Sequence, residues 1–120
     1  MIELSPTAAD AMLDVLGRMM DGGSIELMAD NGRLIAELNL SSPATLAAVD
    51  GELEFNPIAI EDAAIAAGNI TSARILGVLG NEVFSCDVGD ENSEAVIKLH
   101  TTKIYRGAPI RLESFRLTIP

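Results

Sequence analysis

Polar and apolar positions follow two different periods along this chain, and the change of period falls at the glycine pair Gly22-Gly23. Before it, Ser5 is a good helix N-cap, Pro6 suits the first helical position and the two glycines close the run. These signals predict a helix over about Pro6–Asp21. Asp10, Asp14 and Arg18 form one narrow polar stripe, whereas Ala8, Ala9, Ala11, Met12, Leu13, Val15, Leu16, Met19 and Met20 cover nearly everything else. A helix on the side of a domain needs an apolar face only about 100° wide. The excess predicts two neighbours, its own sheet on one side and another subunit on the other, with Met12, Val15, Met19 and Met20 as interface candidates. A helix plugging the open end of its own sandwich is the alternative, and exposure of Met12, Met19 or Met20 separates the two.

After the glycines the period drops to two. Ser24–Ala29 and Arg33–Leu40 alternate around Asp30-Asn31-Gly32, a hairpin. Ser41-Ser42-Pro43 breaks the pattern, Asp50-Gly51 is another turn, and Glu52–Phe55 reads as a short strand. Ile58–Gly68 is ambiguous between a helical turn and an extended connection. Asn69–Leu79 reads as a central strand, Gly80-Asn81-Glu82 as a turn and Val83–Val88 as the returning strand. A polar loop leads to Ala95–Thr101, and Arg106–Pro109 turns into the last strand, Ile110–Ile119. That strand has a fault of phase: Ile110 and Leu112 share one parity while Phe115, Leu117 and Ile119 share the other, which a β-bulge near Glu113-Ser114 reconciles. Seven or eight short strands of this spacing predict an antiparallel β-sandwich or jelly-roll-like barrel with one N-terminal α-helix.

At 120 residues the chain is expected to be a single domain, with room for one site or one surface. Its apolar runs are far shorter than the roughly 20 residues that span a bilayer, and no basic stretch with an apolar segment opens it, so no membrane partner and no secretory signal are expected. The net charge of −10 argues against nucleic acid, which requires a Lys/Arg surface. Trp is absent, and Phe55, Phe84, Tyr105 and Phe115 are too few for a base- or sugar-stacking platform. Charge is distributed unevenly: residues 1–94 carry −14, and residues 95–120, with Lys98, Lys103, Arg106, Arg111 and Arg116, carry +4. Basic strands pairing beside acidic ones inside the monomer would neutralise this. Otherwise it marks complementary edges of neighbouring subunits, with Lys98, Arg106, Arg111 and Arg116 as contact candidates and assembly weakening as salt rises.

Candidate chemistry is sparse. Asp87, Asp90, Glu91 and Glu94 form the best acidic loop for Ca²⁺, but the spacing is not that of an EF-hand and a solvated turn is the expected reading. His100 is the only histidine and Cys86 the only cysteine, so a Cys–His nucleophilic pair would have to use both. A lone strand histidine and a lone cysteine are more often a surface residue and a small buried hydrophobe. No phosphate-cradling glycine loop is present, and no catalytic residue, resident metal or cofactor is expected.

The opening "LSPTAADAMLDVLGRMMDGGSIEL", the strand "TSARILG", the turn after "DVG" and the ending "LESFRLTIP" together resemble a family of small virion structural proteins of tailed bacteriophages. The resemblance covers both ends well and the centre in layout. In this chain the Asp30–Gly32 hairpin is shorter than the family's loop, and Lys98, Arg111 and Arg116 stand where small polar residues are usual. The resemblance implies a non-enzymatic particle component, assembled in the host bacterial cytoplasm and resident in the virion. Its partners would be further copies of itself, as a dimer or trimer, and other virion proteins, the major capsid protein first. A capsid decoration or cement protein is the leading expectation, a tail or tail-tip component the next, and a small-ligand or glycan-binding β-sandwich the alternative of another class.

Overall fold

The computed structural model describes residues 5–55, 64–107, 110 and 112–118. The chain is mainly β with one N-terminal helix. Helix α1 spans Pro6–Met20, its first turn capped by Ser5, whose hydroxyl accepts the Ala8 N–H at 3.1 Å. Gly22, with φ 71°, ends it by taking a conformation that side-chain-bearing residues avoid.

Strands β1 (Ser24–Ala29) and β2 (Leu34–Asn39) form the expected hairpin. Gly32 sits at φ 81° in the turn and Asn31 Oδ1 accepts the Arg33 N–H at 3.0 Å. β3 (Glu52–Glu54) follows a two-residue turn in which Asp50 and Gly51 both have positive φ, and Val49 and Glu52 exchange two backbone hydrogen bonds of 3.0 Å. β4 (Gly68–Leu76) is the central strand, paired with β1 on one side and with β5 (Glu82–Asp90) on the other. β4 ends three residues before the expected Leu79. Gly77 and Gly80 close a turn there, with the Gly80 N–H donating to Gly77 O at 2.9 Å, so Val78 and Leu79 lie at its tip. β6 (Ile97–Leu99), β7 (Lys103–Ile104) and β8 (Leu112–Thr118) complete the sheet, whose strand order is β2-β1-β4-β5-β6-β8-β3, with β7 attached to β4. Of the ambiguous Ile58–Gly68 stretch, residues 58–63 lie outside the described residues, and residues 64–67 are not helical and lead into β4 at Gly68.

The expectation of an antiparallel arrangement fails at one pair. β5 and β6 run parallel, with Val88 opposite Ile97 and Asp90 opposite Leu99. Side-chain chemistry in the acidic loop accounts for so short a return. Asp90 folds the chain back by accepting the Asn92 N–H on Oδ1 at 3.0 Å and both the N–H and hydroxyl of Ser93 on its carbonyl. Asp87 Oδ1 then takes the Val96 N–H at 3.2 Å, and Gly89 lacks the Cβ that would strike Ser93.

Bulges bend the sheet. Register shifts occur in the β1–β2, β1–β4, β4–β5 and β6–β8 ladders. In β2 the extra residue is Ile35, so Ile35 and Ala36 are both buried although adjacent. In β8 it is Glu113, since Lys98 faces Ser114 and Leu99 faces Leu112. That bulge answers the phase fault. The strand changes partner further on: Leu112, Ser114 and Phe115 pair with β6, and Arg116–Thr118 pair with β3. The core draws on every described β-strand except β5's outer positions, with Ile25, Leu27, Ile35, Leu53, Ile75, Ile97 and Leu99 fully buried. Phe55 stacks on Phe115, ring centroids 3.7 Å apart, and Phe84 meets Phe115 edge-on at 6.3 Å.

Candidate interaction surfaces

The connection from β2 to β3 runs beside α1 and has few strand partners, so its backbone N–H groups need acceptors from elsewhere. The helix supplies them. Asp10 Oδ1 accepts the Gly51 N–H at 2.7 Å, Asp14 Oδ1 the Ala48 N–H at 2.8 Å, and Asp21 Oδ1 the Ala44 N–H at 2.8 Å. Asp10, Asp14, Gly17 and Asp21 follow one helical line, and at Gly17 the missing side chain lets Thr45 come against the helix. The aspartates of the polar stripe therefore face protein, whereas Arg18 is exposed.

The consequence lies on the other side of α1. Met12, Val15 and Met19 are 55%, 48% and 50% exposed, a ridge at spacings of three and four. It continues into the β4–β5 turn, where Val78 is 70% and Leu79 91% exposed. The junction is tight: a Cβ on Gly77 would stand 2.9 Å from Met19 O, and one on Gly22 3.7 Å from Val78 Cγ2. Met20 does not belong to this ridge. It is fully buried, because with Leu13 it lies on the helix face that joins the core.

Charge is neutralised within the chain only in part. Arg116 on β8 reaches Glu52 and Glu54 on β3 at 3.4 and 3.7 Å, the register setting Glu54 directly opposite it. Arg74 on β4 joins Glu26 and Glu82 at 3.6 and 3.0 Å. Among the described residues, Lys98, Lys103 and Arg106 make no ion pair; Lys98 is half-buried and the other two are exposed. The Arg111 side chain lies outside the described residues.

Two of the four acids of the candidate Ca²⁺ loop hold the turn together. Asp87 and Asp90 hold backbone donors as described above, Glu91 and Glu94 are exposed, and the described residues contain no group of three or more acids, histidines or cysteines fit to hold a metal. Cys86 lies half-buried on β5 opposite Ala73, and His100 follows β6. Leu99 pairs with Asp90, four residues along β5 from Cys86, and His100 follows Leu99, an offset of at least roughly 13 Å along the strand. The two are not a nucleophile–base pair. Burial first, and the neighbouring Asp87 charge second, push the Cys86 thiol up to about 12 from 9.0, the reverse of what a nucleophile needs. The three phenylalanines pack on one another, Phe84 being only half-buried, and Tyr105, 73% exposed, is the most exposed aromatic among the described residues.

Several surface features escaped sequence reasoning. The inward stripe was signalled by Asp21 and Gly17 falling on the line of Asp10 and Asp14. Val78-Leu79 was signalled by the flanking glycines of "GVLG", which mark a turn rather than the end of a strand. Exposed Leu46 and Val49, beside β3, carried no signal in the local pattern. No helix among the described residues is long and apolar enough to cross a membrane. No family model, curated protein or solved structure matches the chain.

Proposed function

We propose that the protein is a structural component of a tailed-bacteriophage virion: a capsid decoration protein that binds the major capsid shell as a small symmetric oligomer. It would be made in the host cytoplasm and carried in the particle. The observation that carries this reading is the reversal on α1, with aspartates turned inward and Met12, Val15, Met19, Val78 and Leu79 turned out. Contiguous large apolar side chains on a surface mark contact with another macromolecule. The likeness of both ends of the sequence to small virion proteins supplies the setting. The same reading takes the bulged sheet to curl into a sandwich or jelly-roll-like barrel with α1 across one end, supported by the contacts of α1 with both β3 and β5.

Binding to purified shells tests it. The wild-type protein is expected to bind saturably, and quantitative mass spectrometry of virions is expected to find it in copy number comparable with the major capsid protein. Met12→Ser with Met19→Ser should lose shell binding and keep the melting temperature. A few copies per particle would move the protein to the tail. Absence from virions together with no shell binding overturns the proposal.

A further inference from the structure

Two surfaces on this chain, neither of them including the helix ridge residues, are complementary. The first is a basic knob. Residues 64–68 and 103–107 run side by side, with Gly68 opposite Ile104 and the Gly107 N–H donating to Ala64 O at 2.8 Å. Alternation along β7 buries Ile104 and turns Lys103 and Tyr105 outward, while Arg106 and Ile65, 60% exposed, stand beside them. Two cations without an ion pair among the described residues thus flank an exposed tyrosine and isoleucine.

The second is an acidic groove of about 500 Å³ between the 46–50 segment and the β3–β8 pair, lined by Leu46, Val49, Asp50, Glu52, Glu54 and Arg116. Leu46 and Val49 are 51% and 63% exposed, an apolar floor open to solvent. Among the described lining residues Arg116 is the one cation; it bridges Glu52 and Glu54, and Asp50 adds a third carboxylate that makes no ion pair among the described residues. The groove keeps an excess of negative charge.

We infer that this groove receives the Lys103–Arg106 knob of a second copy of the chain, head to tail. Charge complementarity selects the occupant: the knob offers two cations that make no ion pair among the described residues and an aromatic, the groove carboxylates in excess of its described cation and exposed apolar side chains. The two surfaces sit on different strands, since β5, β6 and β8 stand between β4, which carries β7, and β3 in the strand order. Because knob and groove are different surfaces, the contact is heterologous, and repetition closes a ring or extends a filament. Only ring closure into a decoration oligomer rests on the function proposed above. The contact itself is measured on purified protein without shells, so loss of self-association and loss of shell binding are separate results.

Light scattering and sedimentation across salt concentrations test it. The wild type is expected to form oligomers at low salt that dissociate as salt rises, since such charges are screened over about 8 Å at physiological ionic strength. Lys103→Glu with Arg106→Glu should weaken association about tenfold or more with an unchanged melting temperature. Val49→Lys, which repels the knob while leaving the Arg116 pairs in place, should do the same. Mixed one to one, the two variants retain one intact groove and one intact knob between them, so they should form a dimer and nothing larger. A wild type that stays monomeric at every salt concentration overturns the inference. So does an oligomer that survives Lys103→Glu with Arg106→Glu and disappears in Met12→Ser with Met19→Ser, which would place self-association on the helix ridge.

Discussion

In the β1–β2 hairpin Ile25, Leu27, Ala29 and Leu38 are buried and the polar positions Glu37 and Asn39 are exposed; on α1, Met12, Val15 and Met19 meet solvent while Asp10 and Asp14 face protein. Both elements contribute to the same core, yet only the hairpin sorts its side chains by hydropathy. The difference lies in where each neighbourhood's backbone finds its hydrogen bonds. The hairpin satisfies its own N–H groups through ladders with β4 and within itself, so its side chains are free to partition. The 44–51 connection has isolated bridges only, and three of its N–H groups depend on α1. Leaving one such group buried and unpaired costs about 1–3 kcal/mol, whereas a half-exposed methionine or valine forfeits only part of the roughly 1.5–3 kcal/mol that full burial brings. Hydrogen-bond demand decides the orientation of the helix.

Substitutions on the two elements sharpen that contrast. The largest effect is expected at Leu27, fully buried on β1 between Ala36 and Ala73 of its neighbouring strands. Those alanines cannot fill the space its side chain would leave, so Leu27→Ala should lower unfolding free energy by about 2–5 kcal/mol in denaturant titration. Met19→Ser, on an equally apolar residue that faces solvent, should change it by less than about 0.5 kcal/mol. Comparable losses at the two sites would break the comparison.

Next in size is Asp14→Ala, which strands the Ala48 N–H and should cost about 1–3 kcal/mol, toward the lower figure because the bond is only partly buried. Asp14→Asn keeps an acceptor oxygen at the same place and is expected to recover most of that loss. If Asn proves as damaging as Ala, the carboxylate acts through its charge and not through the hydrogen bond to the connection.

Much of this architecture is legible in the sequence, and the illegible parts share a cause. Ser5, Pro6 and the glycine pair bound α1, Asp30-Asn31-Gly32 and Asp50-Gly51 place their turns, and the parity change between Leu112 and Phe115 locates the Glu113 bulge. Each of these is a local signal, resolved within a few residues of chain. The direction of α1's polar stripe is not local, since it depends on donors at Ala44, Ala48 and Gly51, up to 41 residues away. The parallel β5–β6 pair escaped for a related reason: Asp87 and Asp90 look like solvent-facing charge until their backbone partners at Val96 and Asn92 are seen. The basic residues divide in the same way, for Arg116 finds its glutamates through the β3–β8 register while Lys103 and Arg106 find no ion pair among the described residues.

The smallest effect concerns Cys86, a polarisable residue on β5 whose surroundings follow the hairpin's rule and not the helix's: its polar atom has been drawn toward apolar neighbours. Burial, and then the Asp87 charge, raise its folded-state pKa from 9.0 to about 12. Below pH 9 the thiol is protonated in both folded and unfolded chains, and the stability linked to it is fully present. Between pH 9 and 12 the unfolded chain ionises first, so that contribution is lost as pH rises. Wild-type melting temperature should therefore fall more steeply over this window than that of Cys86→Ala, and the difference between the two proteins is the quantity to read. The same protonation predicts slow alkylation of native Cys86 at neutral pH compared with the denatured chain. Equal alkylation rates, or parallel melting curves from pH 9 to 12, would mean that Cys86 is solvated and that β5 departs from the hairpin's pattern.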